Sequence, residues 1–274
     1  MFEGSANVTS GEHLATVQSV GGSANATTWF DRTNYFETVP TGALDLALWL
    51  EADRLASLQV TQHNLDNQRD VVMEEKRQRY DNVPYGDVML HLVQLTFPAD
   101  HPYGHPTIGS MDDLAAATLD DAKAFFATHY APGNAVLTLV GDIDPTDGIA
   151  RANSFFGGLA ASSRPVREVT APLSPLTGVP RREVTATVPA DAAYLSWRLP
   201  ASDTPAFDAL ELALAALGDG QTSRLHRRLV RNDQIAEGAG ASTTGLIGGT
   251  SLGFASARAL PGVTGAQLED AIVD

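Results

Sequence analysis

Between residues 160 and 182 the chain runs AASSRPVREVTAPLSPLTGVPRR, with prolines at 165, 172, 175 and 180 and no hydrophobic period. Proline fixes φ and removes a backbone donor, so neither a helix nor a central strand can continue through such a stretch. The patterns on either side are regular. The chain is therefore expected to be a first domain over 1–160, a linker over 161–182 and a second domain over 183–274.

Before the break, SGEHLATVQSV (10–20) has helical spacing, with Ser10 as candidate N-cap and Gly21 and Gly22 as a stop. Residues 23–40, SANATTWFDRTNYFETVP, predict extended chain rich in Thr and aromatics. In 41–58, Leu44, Ala47, Leu48, Leu55 and Leu58 mark an amphipathic helix, and 62–80 predicts a charged one. YGDVMLHLVQLTF repeats the helical pattern up to Pro98, and Thr118 caps a further helix over 118–129. APGNAVLTLVGDI then predicts a turn into a buried strand, followed by a helix over 145–157.

After the break, EVTATVPADAAYLSWRLP predicts a strand and PAFDALELALAALGDG an apolar-faced helix. GDGQTSRLHRRLVRNDQIA is a glycine break and a basic helix, and GLIGGTSLGFASARAL a small-residue strand region before a final helix with Leu268, Ile272 and Val273. Two strand-plus-helix modules in tandem imply related architectures, although residue identity between them is slight. MFEGSANVTSGEH has no element before it and TGAQLEDAIVD stops in mid-pattern, so both modules are expected to be incomplete.

Composition narrows the chemistry. Asp+Glu 33 against Lys+Arg 18 leaves a net charge of -15, which argues against a nucleic-acid or anionic-membrane partner. There is no cysteine, so a transition metal would have to be held by His, Asp or Glu. No stretch approaches the roughly 18–20 apolar residues of a membrane span, and no signal peptide opens the chain.

Four groups of residues could carry function. Glu75 shares a helical face with Val71 and Val72. A carboxylate there is either one of a run (Glu74, Glu75, Lys76, Arg77, Arg79) that pairs along a solvated face, or a metal ligand. The extended chain that follows Gly21 and Gly22, with small Ser23, Ala24 and Ala26, is either an edge open to an extended peptide or an ordinary interior strand. His101 and His105 have HxxxH spacing, but Pro102, Gly104 and Pro106 preclude the helix that would bring them to one side. Arg224, Arg227, Arg228 and Arg231 form a basic face whose alternatives are a phosphate or nucleic-acid site, a solvated helix face or an inter-domain contact.

Taken in order, MFEGS, GGSANATT, DRTNYFETVP, RDVVMEEKRQRY, HPYGHPTIGSM, FFATHYAPGNAVLTLVGDI and GDGQTSRLHRRL resemble the insulinase/pitrilysin family of zinc peptidases, the inverzincins of the HxxEH motif. The resemblance spans nearly the whole chain. It implies an α+β fold of two tandem sandwich-like modules, each a mostly antiparallel sheet with helices packed on it. It implies Zn2+ held by two HxxEH histidines, with the motif's glutamate as general base and Glu75 as third ligand; Glu74 is one residue out of register. HxxEH would end just before Met1, and Glu12-His13 cannot replace it because Thr9 stands where its first histidine would be.

The resemblance further implies that Asn25 and Ala26 contact an extended peptide substrate, Asn25 through its amide and Ala26 through its backbone. Gln68 stands where relatives often carry an acidic residue. A further homologous half or partner subunit would close a chamber around the substrate. The expected function is thus that of a piece of a zinc metalloendopeptidase, inactive by itself. The alternatives are a non-catalytic paralogue or partner subunit of the same fold and a bare peptide-binding module. The compartment is open, with a periplasmic or secreted location favoured over a cytoplasmic one.

Overall fold

A computed structural model describes residues 2–160 and 173–274. Pro165, Pro172 and most of the expected linker lie outside the described residues; within 173–182 there is neither helix nor strand. The chain forms two compact units that interleave along the sequence, Met1–Glu74 with Ser110–Arg167, and Glu75–Gly109 with Glu168–Asp274.

The first unit opens with α1 (Glu12–Ser19) and an antiparallel hairpin of β1 (Ser23–Thr28) and β2 (Thr33–Thr38). Its register runs from Ser23 opposite Thr38 to Thr28 opposite Thr33, and Trp29 N donates to Arg32 O at 2.8 Å across the turn. The single extended stretch expected over 23–40 is therefore two paired strands. Ser10 does not cap α1 either. The cap is Gly11 at φ 77°, a left-handed conformation that glycine adopts without a Cβ clash. Ser10 Oγ instead donates to Glu3 Oε2 at 2.7 Å. The Glu12 carboxylate accepts from Thr9 N and Thr9 Oγ1 at 2.8 Å each, and these bonds hold its pKa below the ordinary value.

A 3-10 turn (Thr41–Ala43) leads into α2 (Leu44–Ser57). Leu48 and Leu50 are its most buried leucines, and Leu50 joins Val8 and Val17 in a small core. The charged helix is α3 (Gln62–Lys76), of which residues up to Glu74 belong to this unit; the π-helical turn over Arg77–Asp81 belongs to the second. Arg69 ties α3 to the next helix in the unit, α5 (Met111–Ala116; α4 falls in the second unit): its Nε donates to Leu114 O at 2.9 Å. In α6 (Leu119–His129), Thr118 forms the expected cap, exchanging bonds with Asp121 in a capping box.

A further expectation in this unit fails. Residues 135–140 were expected as a buried strand, but they belong to no sheet, and Val136 and Val140 are 92% and 93% exposed. An extended segment needs a neighbouring strand to satisfy its backbone groups. Among the described residues this one has none, because β1 and β2 pair only with each other. The helix expected over 145–157 is present as α7 (Pro145–Phe156), capped by Asp144.

The second unit contains α4 (Val88–Thr96) and a three-stranded antiparallel sheet. Its strands are β3 (Ala192–Pro200), β4 (Ala236–Thr244) and β5 (Thr250–Ala259), with β5 in the middle. Only the later part of the strand expected over 183–200 forms; residues 183–188 are in no sheet. Helices α8 (Pro205–Gly218) and α9 (Gly265–Val273) pack on the sheet, with a π-helical turn over His226–Asn232. Leu225, Leu229 and Leu268 fill the space over a face of small residues, Ala241, Ala255, Ala257 and Ala259. Gly218 lets α8 approach β4 closely, since a Cβ there would lie 1.8 Å from Ala241 N. Helices with antiparallel sheet make the fold α+β, as expected.

Candidate metal and substrate residues

Glu75 sits near the end of α3, a helix with no buried residue. Val71 is 51% exposed, so the face it shares with Glu75 does not point into a core as its apolar spacing suggested. The reason is the rest of the helix, whose charged and amide side chains leave too little apolar surface to bury. Glu75 Oε1 pairs with Arg79 Nη1 one turn on at 2.8 Å, with the glutamate side chain 39% exposed, and Lys76 Nζ meets Asp81 Oδ1 at 2.6 Å. Those pairings are the solvated-face pattern. Gln68, on the same helix, donates its amide to Glu3 Oε1 at 2.9 Å.

Asn25 and Ala26 lie mid-way along β1, opposite Phe36 and Tyr35. Among the described residues β1 has a single neighbour, so its other edge is open. Asn25 is exposed and Ala26 half-buried, and Asn25 Oδ1 accepts from Ala26 N at 2.8 Å. A side-chain oxygen therefore occupies the backbone donor that an added strand would use.

The two loop histidines are not brought together as ligands. His101 is buried, lies flat on Phe97 with centroids 5.3 Å apart, and its Nδ1 accepts from Tyr103 N at 3.1 Å. Burial lowers its pKa, with Arg198 adding to the effect. His105 is exposed. The arginines of the basic segment line an open surface cavity of about 740 Å³ with Leu217, Ala271 and Ile272. Arg228 there reaches Asp233 at 3.5 Å.

A different cluster lies in the first unit, and motif spacing does not reveal it. His13 of α1, Glu37 of β2 and Glu51 of α2 are, among the described residues, the group whose potential ligand atoms all lie within 4.8 Å of one another. His13 Nε2 is 2.5 Å from Glu37 Oε1 and 3.7 Å from Glu51 Oε1. Arg54, one turn along α2, donates to Glu51 Oε2. Its guanidinium carbon stands 4.2 Å from the Tyr35 ring centroid and 5.0 Å from that of Phe2. Tyr35 in turn shares a 2.8 Å hydroxyl bond with Tyr130.

Burial pushes the Glu51 carboxyl pKa up, against the opposing pull of Arg54, and pushes that of the Tyr35 hydroxyl up as well. Three buried atoms here have no hydrogen-bond partner, Glu37 Oε2, Glu51 Oε1 and Arg54 Nη1. The available signal was Arg54 itself. It stands four residues after Leu50 and seven after Ala47, on the face that α2 buries.

Residues 1–110 match the family model described as insulinase (peptidase family M16), and residues 116–272 the model described as peptidase M16 inactive domain. Together with the α+β fold, these matches define the class as a peptidase-type module. The chain belongs to the insulinase (M16) peptidase family.

It is 32% identical over 242 residues to the zinc protease PqqE of Helicobacter pylori, an alignment covering 86% of this chain and 53% of that protein. An uncharacterized zinc protease of Mycobacterium leprae is 27% identical over 234 residues, with 84% and 51% covered. The chain thus spans about half the length of these curated relatives. The crystal structure of a protease from Helicobacter pylori superposes with a TM-score of 0.85 at 29% identity, over 99% of this chain and 65% of that one. Pitrilysin shares the fold, with a TM-score of 0.69 at 19% identity over 30% of its chain.

Proposed function

We propose that this chain is part of a zinc-dependent metalloendopeptidase acting on peptides or unfolded polypeptides, with Glu75 as one zinc ligand. What supports the reading is the resemblance of RDVVMEEK to the family's third-ligand helix, in a chain whose bacterial relatives are named zinc proteases. The local structure is compatible with it. Glu75 is held by one exposed pair to Arg79, and such a pair on a helix is worth about 0.3–0.5 kcal/mol, little to give up for a metal bond. One carboxylate does not make a site, because catalytic zinc takes three protein ligands. The chain alone is therefore expected to be inactive, the histidines and general base coming from an HxxEH segment upstream.

Zinc, when bound, supplies Lewis-acid polarisation of the scissile carbonyl and a water acidified to a pKa of about 7. The part played by this chain's own residues is to orient substrate. The open edge of β1 offers its backbone to an extended peptide, and Asn25 Oδ1 leaves Ala26 N as a substrate carbonyl takes its place. The remaining length of the relatives is consistent with a further half or partner subunit completing the chamber.

The alternative, a non-catalytic subunit of the same fold, is favoured by the match of residues 116–272 to a model described as inactive. One experiment separates the two. The protein extended upstream through the HxxEH segment should cleave an unstructured peptide, lose that activity to a zinc chelator and regain it with Zn2+, while the 274-residue chain alone stays silent. An extended protein without HxxEH, or with it and without chelator-sensitive cleavage, supports the non-catalytic reading instead.

A further inference from the structure

We propose that His13, Glu37 and Glu51 form a site for one divalent cation of the zinc or manganese type. The family resemblance assigns none of these residues to a metal, and the inference does not depend on the role of Glu75. One imidazole nitrogen and two carboxylates are a donor set suited to such ions. They come from α1, β2 and α2, so no single loop or helix face produces the grouping.

The geometry is close to what an ion needs. Ligand bonds of about 2.0–2.2 Å in a tetrahedral arrangement put donor atoms about 3.4 Å apart. His13 Nε2 and Glu51 Oε1, at 3.7 Å, are near that spacing. His13 Nε2 and Glu37 Oε1, at 2.5 Å, are drawn together by a hydrogen bond that ligation would replace.

A second observation points to an occupant. Glu37 Oε2 and Glu51 Oε1 are buried without a hydrogen-bond partner, and the Glu37 side chain is 8% exposed. A buried carboxylate oxygen left unpaired is costly, and a cation held by these two carboxylates would offset that cost. Arg54 already occupies the far oxygen of Glu51, which fixes that carboxylate with Oε1 turned towards His13. The cluster sets two carboxylates against one guanidinium, a donor set whose acidic oxygens draw a cation.

The test uses the 274-residue chain carrying Glu75→Gln, which removes that carboxylate from consideration, freed of metal and titrated with ZnCl2 by calorimetry. One equivalent should bind saturably and raise Tm by several degrees, and a chelator should reverse the rise. Adding Glu37→Gln should weaken binding at least tenfold. Should that variant fail to fold, the visible spectrum of the Co2+-loaded Glu75→Gln chain reads the same donor set, a nitrogen and carboxylate pattern being expected. Absence of saturable zinc binding, affinity unchanged by Glu37→Gln, or a Co2+ spectrum of the aquo ion would overturn the proposal and leave a proton-sharing cluster.

Discussion

Replacing Arg54 by methionine is expected to destabilise the first unit by about 3–5 kcal/mol, because it leaves a carboxylate in a buried setting without its cation. Methionine keeps the length and the packing between the Tyr35 and Phe2 rings, so the loss isolates the charge rather than the volume. Arg54 is 4% exposed and is the side chain that neutralises Glu51. Burial already raises the Glu51 pKa, and removing the guanidinium raises it further.

The pH dependence of the deficit follows from that direction. A carboxyl whose folded pKa lies above its unfolded value binds a proton more readily in the native state, so native stability recovers as the pH falls into the interval between the two. The Arg54→Met deficit, read from urea midpoints, should be largest near neutral pH and shrink under acid conditions. A deficit below about 1 kcal/mol, or one that grows on acidification, would show that Glu51 is not a buried charge dependent on Arg54.

Leu229→Ala should cost the second unit about 2–5 kcal/mol, towards the upper end of that range. Leu229 is 0% exposed in a core whose sheet face is built from alanines. Small residues have no rotamers with which to fill a vacated space, so the cavity persists and its cost is added to the lost transfer energy. The same substitution at Leu212, 72% exposed on α8, should change the midpoint by no more than about 0.5 kcal/mol. Similar costs at the two positions would contradict the assignment of this core.

Helices were legible in the sequence where a capping residue or an apolar face marked them, as at Thr118 for α6 and over Ala47 and Leu48 in α2. The hairpin was not, because residues 29–32 carry Trp, Phe, Asp and Arg rather than an Asn-Gly or Asp-Gly pair. β4 escaped because AEGAGASTT has few β-branched or aromatic residues; it is a strand through its pairing with β5 and the close approach of α8. Apolar residues at 135–140 and 183–188 have strand composition, yet composition cannot provide the neighbour that a strand requires.

The candidate site shows the same limit. Periodicity aimed Glu75 at an apolar face that the helix does not bury, while the family assignment of that residue came from ordered strings spread along the chain. The His13, Glu37 and Glu51 group is invisible to any local window, since its members are joined only by the packing of α1, β2 and α2. Arg54 on a buried face was the one clue that a charged partner had to be near.

The proposal that Glu75 is a zinc ligand is tested most directly by Glu75→Gln in the upstream-extended protein, with kcat/KM measured on an unstructured peptide. Glutamine keeps the size and removes the charge that a ligand needs, so the loss should exceed the ~10–100-fold typical of losing an outer partner of a metal ligand. An unchanged kcat/KM in the folded, zinc-loaded variant would contradict it.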